Sequence, residues 1–157
     1  MSLRDWSVTR SYQERPKGWK LWPIKGLAKP RMTRSDKWKK RPIVLKYRAY
    51  KDELRIFGVK LNVDAFYHVI FVIPHPKSWS NAKRHEHWFT PHQVTPDKDN
   101  LEKGLLDALF TDDAAAWDGR VTKVWGPAPL LIISTTNIDV SADNLRKVLG
   151  EANGNPN

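Results

Sequence analysis

The chain has 157 residues, 27 Lys and Arg against 17 Asp and Glu, a formal net charge of +10 and no cysteine. That length fits one domain with a core of its own, the missing cysteines exclude disulfides and thiolate metal sites, and the apolar runs at 69–73 and 130–133 are far too short to span a bilayer. So large a cationic excess favours a polyanionic partner, because each phosphate contact releases counterions; a basic but indifferent protein and an anionic membrane surface are the weaker readings.

Residues 1–20 mix charge, Pro and Trp without periodicity and read as an N-terminal arm, with Trp6, Trp19 and Trp22 as signs that part of it docks on the body. The chain opens MSLRDWSVTR, with charges where a signal peptide needs an apolar stretch, so a cytoplasmic setting is expected. The main domain is expected over 21–150, followed by a fraying tail at 151–157. A short strand is expected at 21–25. The run KPRMTRSDKWKKRP at 29–42 then reads as an exposed basic loop or helix entry. Its Lys29, Arg31, Arg34, Lys37, Lys39 and Lys40 are candidates for phosphate contact.

Ile43, Tyr47, Tyr50, Leu54 and Phe57 recur at spacings of four and three, one face of a helix with Pro42 in its first turn and Gly58 as its end. AFYHVIFVI at 65–73 reads as a buried strand. From there to Pro96 the chain is aperiodic and reads as a long functional loop, in which Lys77, Lys83 and Arg84 are further candidate DNA contacts. His85 and His87 have the spacing of two ligands on a strand, but a solvated or phosphate-contacting role fits this cationic, cysteine-free loop better than zinc. Strands are expected at 119–125 and 130–135, joined by a hairpin-like break at Gly126, Pro127 and Pro129. Ser141 is positioned to cap a final helix through Leu149. The fold class is α+β: one domain, with a small mixed sheet of about four strands packed against two main helices.

The segment 96–113, PDKDNLEKGLLDALFTDD, concentrates carboxylates in a cationic chain. Leu101, Leu105, Ala108 and Leu109 give it helical spacing, with a start near Asp99 or Asn100. Asp97 and Asp99 lie two apart on the way in, Lys103 is one turn past Asp99, and Asp112 and Asp113 follow the helix. Phosphodiester hydrolysis has a use for such a group. Carboxylates alone repel a phosphate, whereas carboxylates holding Mg²⁺ invert the local sign and let the metal orient the phosphate and activate water. Each residue also has an ordinary reading: Asp99 as a helix cap, Asp97 as an ion-pair member, Asp112 and Asp113 as turn residues, and Asp107 as a salt-bridging helix residue.

Taken together, Pro96-Asp97-Lys98-Asp99-Asn100-Leu101-Glu102-Lys103, Asp107-Ala108-Leu109, Asp112-Asp113-Ala114, Arg120-Val121 and Lys123 resemble the motifs of RusA-type Holliday junction resolvases. Lys29-Pro30-Arg31-Met32-Thr33, Ser78-Trp79-Ser80 and Lys83-Arg84 resemble the phage-borne branch of that family. The resemblance covers roughly 21–133. It implies a homodimer that binds branched DNA and nicks two strands symmetrically with Mg²⁺, for which Mn²⁺ substitutes. On this resemblance the metal-binding carboxylates fall on Asp97, Asp99 and Asp113, the essential lysine falls on Lys103, and Asp112 is a secondary candidate. The long arm before Leu21 departs from the compact family pattern, as does Ala115 where the family often has Gln. Trp38, Trp79 and Trp88 are candidates to stack on unpaired bases. The competing readings are a junction-binding protein that does not cut and, more remotely, a nucleotide-sugar transferase using the D-x-D pair.

Overall fold

A computed structural model describes residues 18–150. The expected arm falls mostly outside the described residues, as do Trp6 and the expected tail. Four strands form one mixed sheet in the order β1-β4-β2-β3, where β1 is Trp19–Trp22, β2 is Tyr67–Pro74, β3 is Gly119–Gly126 and β4 is Leu130–Ser134. Four α-helices accompany it among the described residues: α1 (Pro42–Ile56), α2 (Asn81–Glu86), α3 (Lys98–Leu109) and α4 (Ala142–Leu149).

Central β2 explains why 65–73 is apolar without alternation. It pairs in parallel with β3 and antiparallel with β4, and both of its faces are covered. Val69 and Phe71 point into a core shared with Tyr47, Tyr50 and Leu54 of α1 and with Leu101 and Leu105 of α3. Ile70 and Val72 point the other way, onto Phe89, Ile132, Leu145 and Leu149 under α4. Each large side chain removed from water here contributes about 1.5–3 kcal/mol before entropy is subtracted. Trp22 packs against the first core and Trp19 against the second, so the two indoles lie on opposite faces of β1.

Four local expectations are corrected. The first strand is Trp19–Trp22 rather than 21–25, because its register is set by pairing Trp19 with Ser134 and Trp22 with Leu131. On α1 the buried face starts at Val44, while Ile43 and Phe57 are 48 % and 44 % exposed; the helix is rotated slightly from the face drawn through the aromatics. Residues 74–96 are not one loop. Ser80 caps α2 by accepting from the Lys83 N–H at 3.2 Å, and the chain then runs along β3, with Phe89 N–H donating to Trp125 O at 2.8 Å and His92 N–H to Lys123 O at 3.1 Å. Finally, β3 and β4 do not form a hairpin, because β2 lies between them and pairs with both. The final helix is capped as expected: Ser141 Oγ accepts from Asn144 N–H at 3.3 Å.

Candidate active site

Helix α3 carries the acidic motif, and the sequence around it determines how it is seated. Asp97 occupies the N-cap position, two residues ahead of Asp99, the earlier of the expected starts, and its carbonyl accepts the Leu101 N–H at 3.1 Å. Leu101, Gly104, Leu105 and Leu106 form the buried stripe, which turns Asp99, Asn100 and Lys103 outward. Lys123 on β3 secures the approach, donating from Nζ to the carbonyl of Pro96 at 2.7 Å and to that of Val94.

Gly104 brings the basic segment to the helix. A Cβ on this residue would lie 2.2 Å from Leu27 O and 3.0 Å from Lys29 N, so only glycine lets the 27–29 backbone cross α3 here. Tyr47 Oη donates to Gly104 O at 2.9 Å beneath the crossing, and Lys29 Nζ pairs with Asp107 Oδ2 at 2.6 Å. Between the strap and the first turns of α3 lies an open cleft of about 460 Å³, lined by Lys29, Pro30, Arg31, Met32, Asn100 and Lys103.

The rest of the strap is built around one carboxylate. Asp36 is buried, accepts from Arg41 Nε and Nη2 at 2.7 Å each, and also accepts the Thr33 N–H at 2.6 Å. The Arg41 guanidinium, followed by the Thr33 amide, holds its carboxyl far below the usual carboxylate range. Arg41 also donates to Arg31 O at 2.9 Å, which ties both ends of the segment to the start of α1. Arg31, Arg34, Lys37, Lys39 and Lys40 stay exposed and form no ion pair with a described residue. Lys29 is committed to Asp107. In the second basic segment Lys77 is exposed, Lys83 Nζ sits 4.4 Å from the Trp79 ring centroid, and Arg84 Nη2 donates to Lys77 O at 2.7 Å. Trp38 is 78 % exposed, whereas Trp79 packs within the protein, its ring 4.9 Å from that of Trp125 and tilted by 51°.

Asp97 and Asp99 stand on one turn at the head of α3, with Lys103 one turn further. None of these three side chains makes a hydrogen bond or ion pair with another described residue. Asp97 is an N-cap by position but its carboxylate accepts no capping bond. Asp112 does cap, accepting the Ala114 N–H at 2.9 Å ahead of a single 3₁₀ turn, Asp113–Ala115. Asp113 is half-buried and follows the far end of α3, a helix of 12 residues and therefore ~18 Å long. The structure does not gather Asp113 with the pair: among the described residues no three His, Asp or Glu side chains are grouped as a metal cage.

The sequence reading assigned no role to the carboxylates around Tyr67. Tyr67 Oη donates to Glu102 Oε1 at 2.6 Å, and its ring lies over Gly119, where a Cβ would come within 2.3 Å of it. Burial, the bond to Glu102 and the charges of Glu102 and Asp118 push the phenol far above its ordinary pKa. Asp118, directly ahead of β3, accepts the Tyr67 N–H through its carbonyl at 3.4 Å. Glu102 of α3 is therefore joined through Tyr67 to one further acid from outside the helix, Asp118. The available signal was an Asp-Gly pair immediately before a β-branched run.

His85 lies in the last turn of α2 and His87 is its C-cap, so neither lies on a strand. His68 is fully buried: its Nδ1 accepts the Ile138 N–H at 2.9 Å, which leaves Nε2 to donate to Thr122 Oγ1 at 2.9 Å. Burial, aided by the nearby Arg120 charge, pushes its pKa down to about 4.

A family model described as Endodeoxyribonuclease RusA matches residues 22–136, well over half of the chain. No curated protein matches it. Among the described residues no helix is long and apolar enough to cross a membrane.

Proposed function

Because the chain belongs to the RusA endodeoxyribonuclease family, we propose that it resolves Holliday junctions and other branched DNA, acting as a homodimer that nicks two strands symmetrically with Mg²⁺ or Mn²⁺. The observation that carries this reading is the head of α3, where two carboxylates without partners among the described residues stand beside a cationic cleft. The motifs around Lys29 to Thr33 and Ser78 to Ser80 favour the phage-borne branch, and a cysteine-free chain suits a reducing cytoplasm.

The donor set fits a hard divalent cation. Mg²⁺ keeps several waters and takes only one or two protein carboxylates together with substrate phosphate, so Asp97 and Asp99 are sufficient as its first protein ligands, with Asp113 as the third candidate. When bound, it supplies positive charge to the phosphate and lowers the pKa of water. The chain's own groups do the rest. Lys103 contacts a nonbridging oxygen of the scissile phosphate and stabilises the charge that develops there. Asn100 and the exposed N–H groups of the first turn of α3 orient the same phosphate. Arg31, Arg34, Lys37, Lys39 and Lys40, together with Lys77, Lys83 and Arg84, contact the backbone, which gives affinity without sequence choice. Lys29 contributes more by holding the strap on Asp107. A two-fold dimer presents one such site to each of two strands of a pseudo-symmetric junction.

A second reading concerns the third carboxylate. Asp118 is favoured over Asp113 because its charge bears on the Tyr67 hydroxyl, which Glu102 holds one turn from Asp99. Labelled four-way junction incubated with Mg²⁺ tests both readings. Paired nicks that EDTA prevents are expected, and they are expected to vanish in Asp99→Asn while junction binding persists. Nicking retained in Asp113→Asn but lost in Asp118→Asn assigns the third ligand to Asp118. Binding by the native chain without any nicking would return the protein to the non-cleaving class.

A further inference from the structure

A second cleft of about 460 Å³ opens where β2 and β3 end, lined by His75, Asn81, Arg84, His85, Trp88 and Pro127. We propose that this cleft receives one unpaired nucleotide of a DNA strand, its base against Trp88 and His85 and its phosphate on Arg84. The proposal rests on the DNA-binding reading above and adds to it a site that distinguishes single-stranded from paired DNA.

Three features carry it. The first is shape and lining. The rings of His85 and Trp88 lie 5.6 Å apart at 57° and form an aromatic corner, while an oxyanion alone would fill only a fraction of a cleft in the size range of small-molecule sites. Aromatic walls suit a base, because every base has a stacking face. The second is unused hydrogen-bonding capacity. Arg84 Nη2 is occupied by Lys77 O, but the buried Arg84 Nε has no partner among the described residues, and neither has Nδ1 of His75, a residue only 9 % exposed. Buried polar atoms are rarely left so, and a ligand is one way of satisfying them.

The third is rigidity. Arg146 of α4 donates to Trp88 O at 3.1 Å and to Glu86 O at 3.2 Å, which fixes the backbone behind the aromatic corner. Gly150 lets the indole pack onto the end of α4, where a Cβ would approach it to 3.3 Å. The next residue, Phe89, takes φ 59° while fully buried, a conformation that is uncommon for a bulky side chain and is held here by its surroundings. A wall already fixed before binding loses little entropy on meeting its ligand.

The test uses the full chain in EDTA, so that nothing is cut, and follows the anisotropy of a fluorescein-labelled oligothymidylate about ten nucleotides long. A duplex of equal length and thymidine monophosphate as competitor form the other arms. His85→Ala is expected to weaken single-strand binding roughly tenfold, the scale of one lost base–aromatic stack, and to leave duplex binding within about twofold. Lys46→Gln, an exposed cation on α1, is expected to shift both arms equally and slightly. Trp88→Ala should act like His85→Ala; if its packing role lowers the melting temperature, the surface variant His85→Ala decides. Equal loss in both arms, or no loss in either, overturns the proposal, as does competition by the mononucleotide on a par with the oligomer. A parent protein that fails to nick junctions in Mg²⁺ defeats the resolvase reading and leaves these binding arms interpretable.

Discussion

Two aspartates in the same basic chain receive opposite treatment. Asp36 is enclosed in the 29–42 strap, where an Arg41 fork and the Thr33 amide neutralise it. Asp99 stands exposed on the first turn of α3 with no cation of the described residues on its oxygens, although Lys103 is one turn away. The difference separates architecture from chemistry. A carboxylate satisfied by the fold holds a segment in shape and has nothing left for a ligand. A carboxylate left unsatisfied in a strongly cationic protein contributes little to stability and remains available to a cation from solution.

Breaking each side should therefore give contrasting phenotypes. The largest effect is expected from Asp99→Asn, with nicking of a four-way junction falling on the order of 10³-fold while junction affinity and the melting temperature hold; a parallel loss of affinity would make Asp99 a structural group. Asp36→Asn should do the reverse. Leaving Arg41 without its carboxylate should lower the melting temperature and loosen the strap, whereas the cleavage rate per folded molecule stays within a few-fold of native.

His68 sharpens the same contrast. Its two nitrogens are used internally and its pKa is pushed down to about 4, against ~6.5 in the unfolded chain. The unfolded state binds the extra proton between those values, so the stability is complete above pH ~6.5 and is lost as pH falls towards 4. Urea denaturation across that window should show a loss of roughly 3 kcal/mol, removed in His68→Gln, with no matching change in junction affinity. The smallest effect is expected from Gly104→Ala, where the new Cβ meets Leu27 O. A cost of about 1–3 kcal/mol in urea denaturation and reduced cleavage would follow from lifting the strap off α3; unchanged stability would mean that the crossing is not tight.

Much of the fold was legible because it is local. The unbroken apolar run of β2, the stripe through Leu101 and Leu105 and the Ser141 cap each declare themselves within a few residues. The pairing of β3 and β4 was not legible. A Gly-Pro break between two strands reads as a hairpin, and only the insertion of β2 between them, decided by burial of both its faces, shows otherwise. Helix α2 is too short to display a period and buries no residue of its own.

In the site, Asp97, Asp99 and Lys103 were legible because they share two turns of one helix. The Tyr67–Glu102 bond and the nearby Asp118 depend on contacts between distant segments. Asp36 looked like one more charge in a solvated run because its role is fixed by Arg41. Asp113 entered the site through the resemblance alone, and Asp112 caps a 3₁₀ turn that begins with it after the end of α3.

Titration of Mn²⁺ against the full chain, read by the loss of the free-ion electron paramagnetic resonance signal, addresses the head of α3 most directly. The native protein, with junction DNA present, is expected to take up the ion, and the Asp97→Asn/Asp99→Asn double variant to leave it free. Equal uptake by both proteins, or none by the native chain, would contradict a cation held by those two carboxylates.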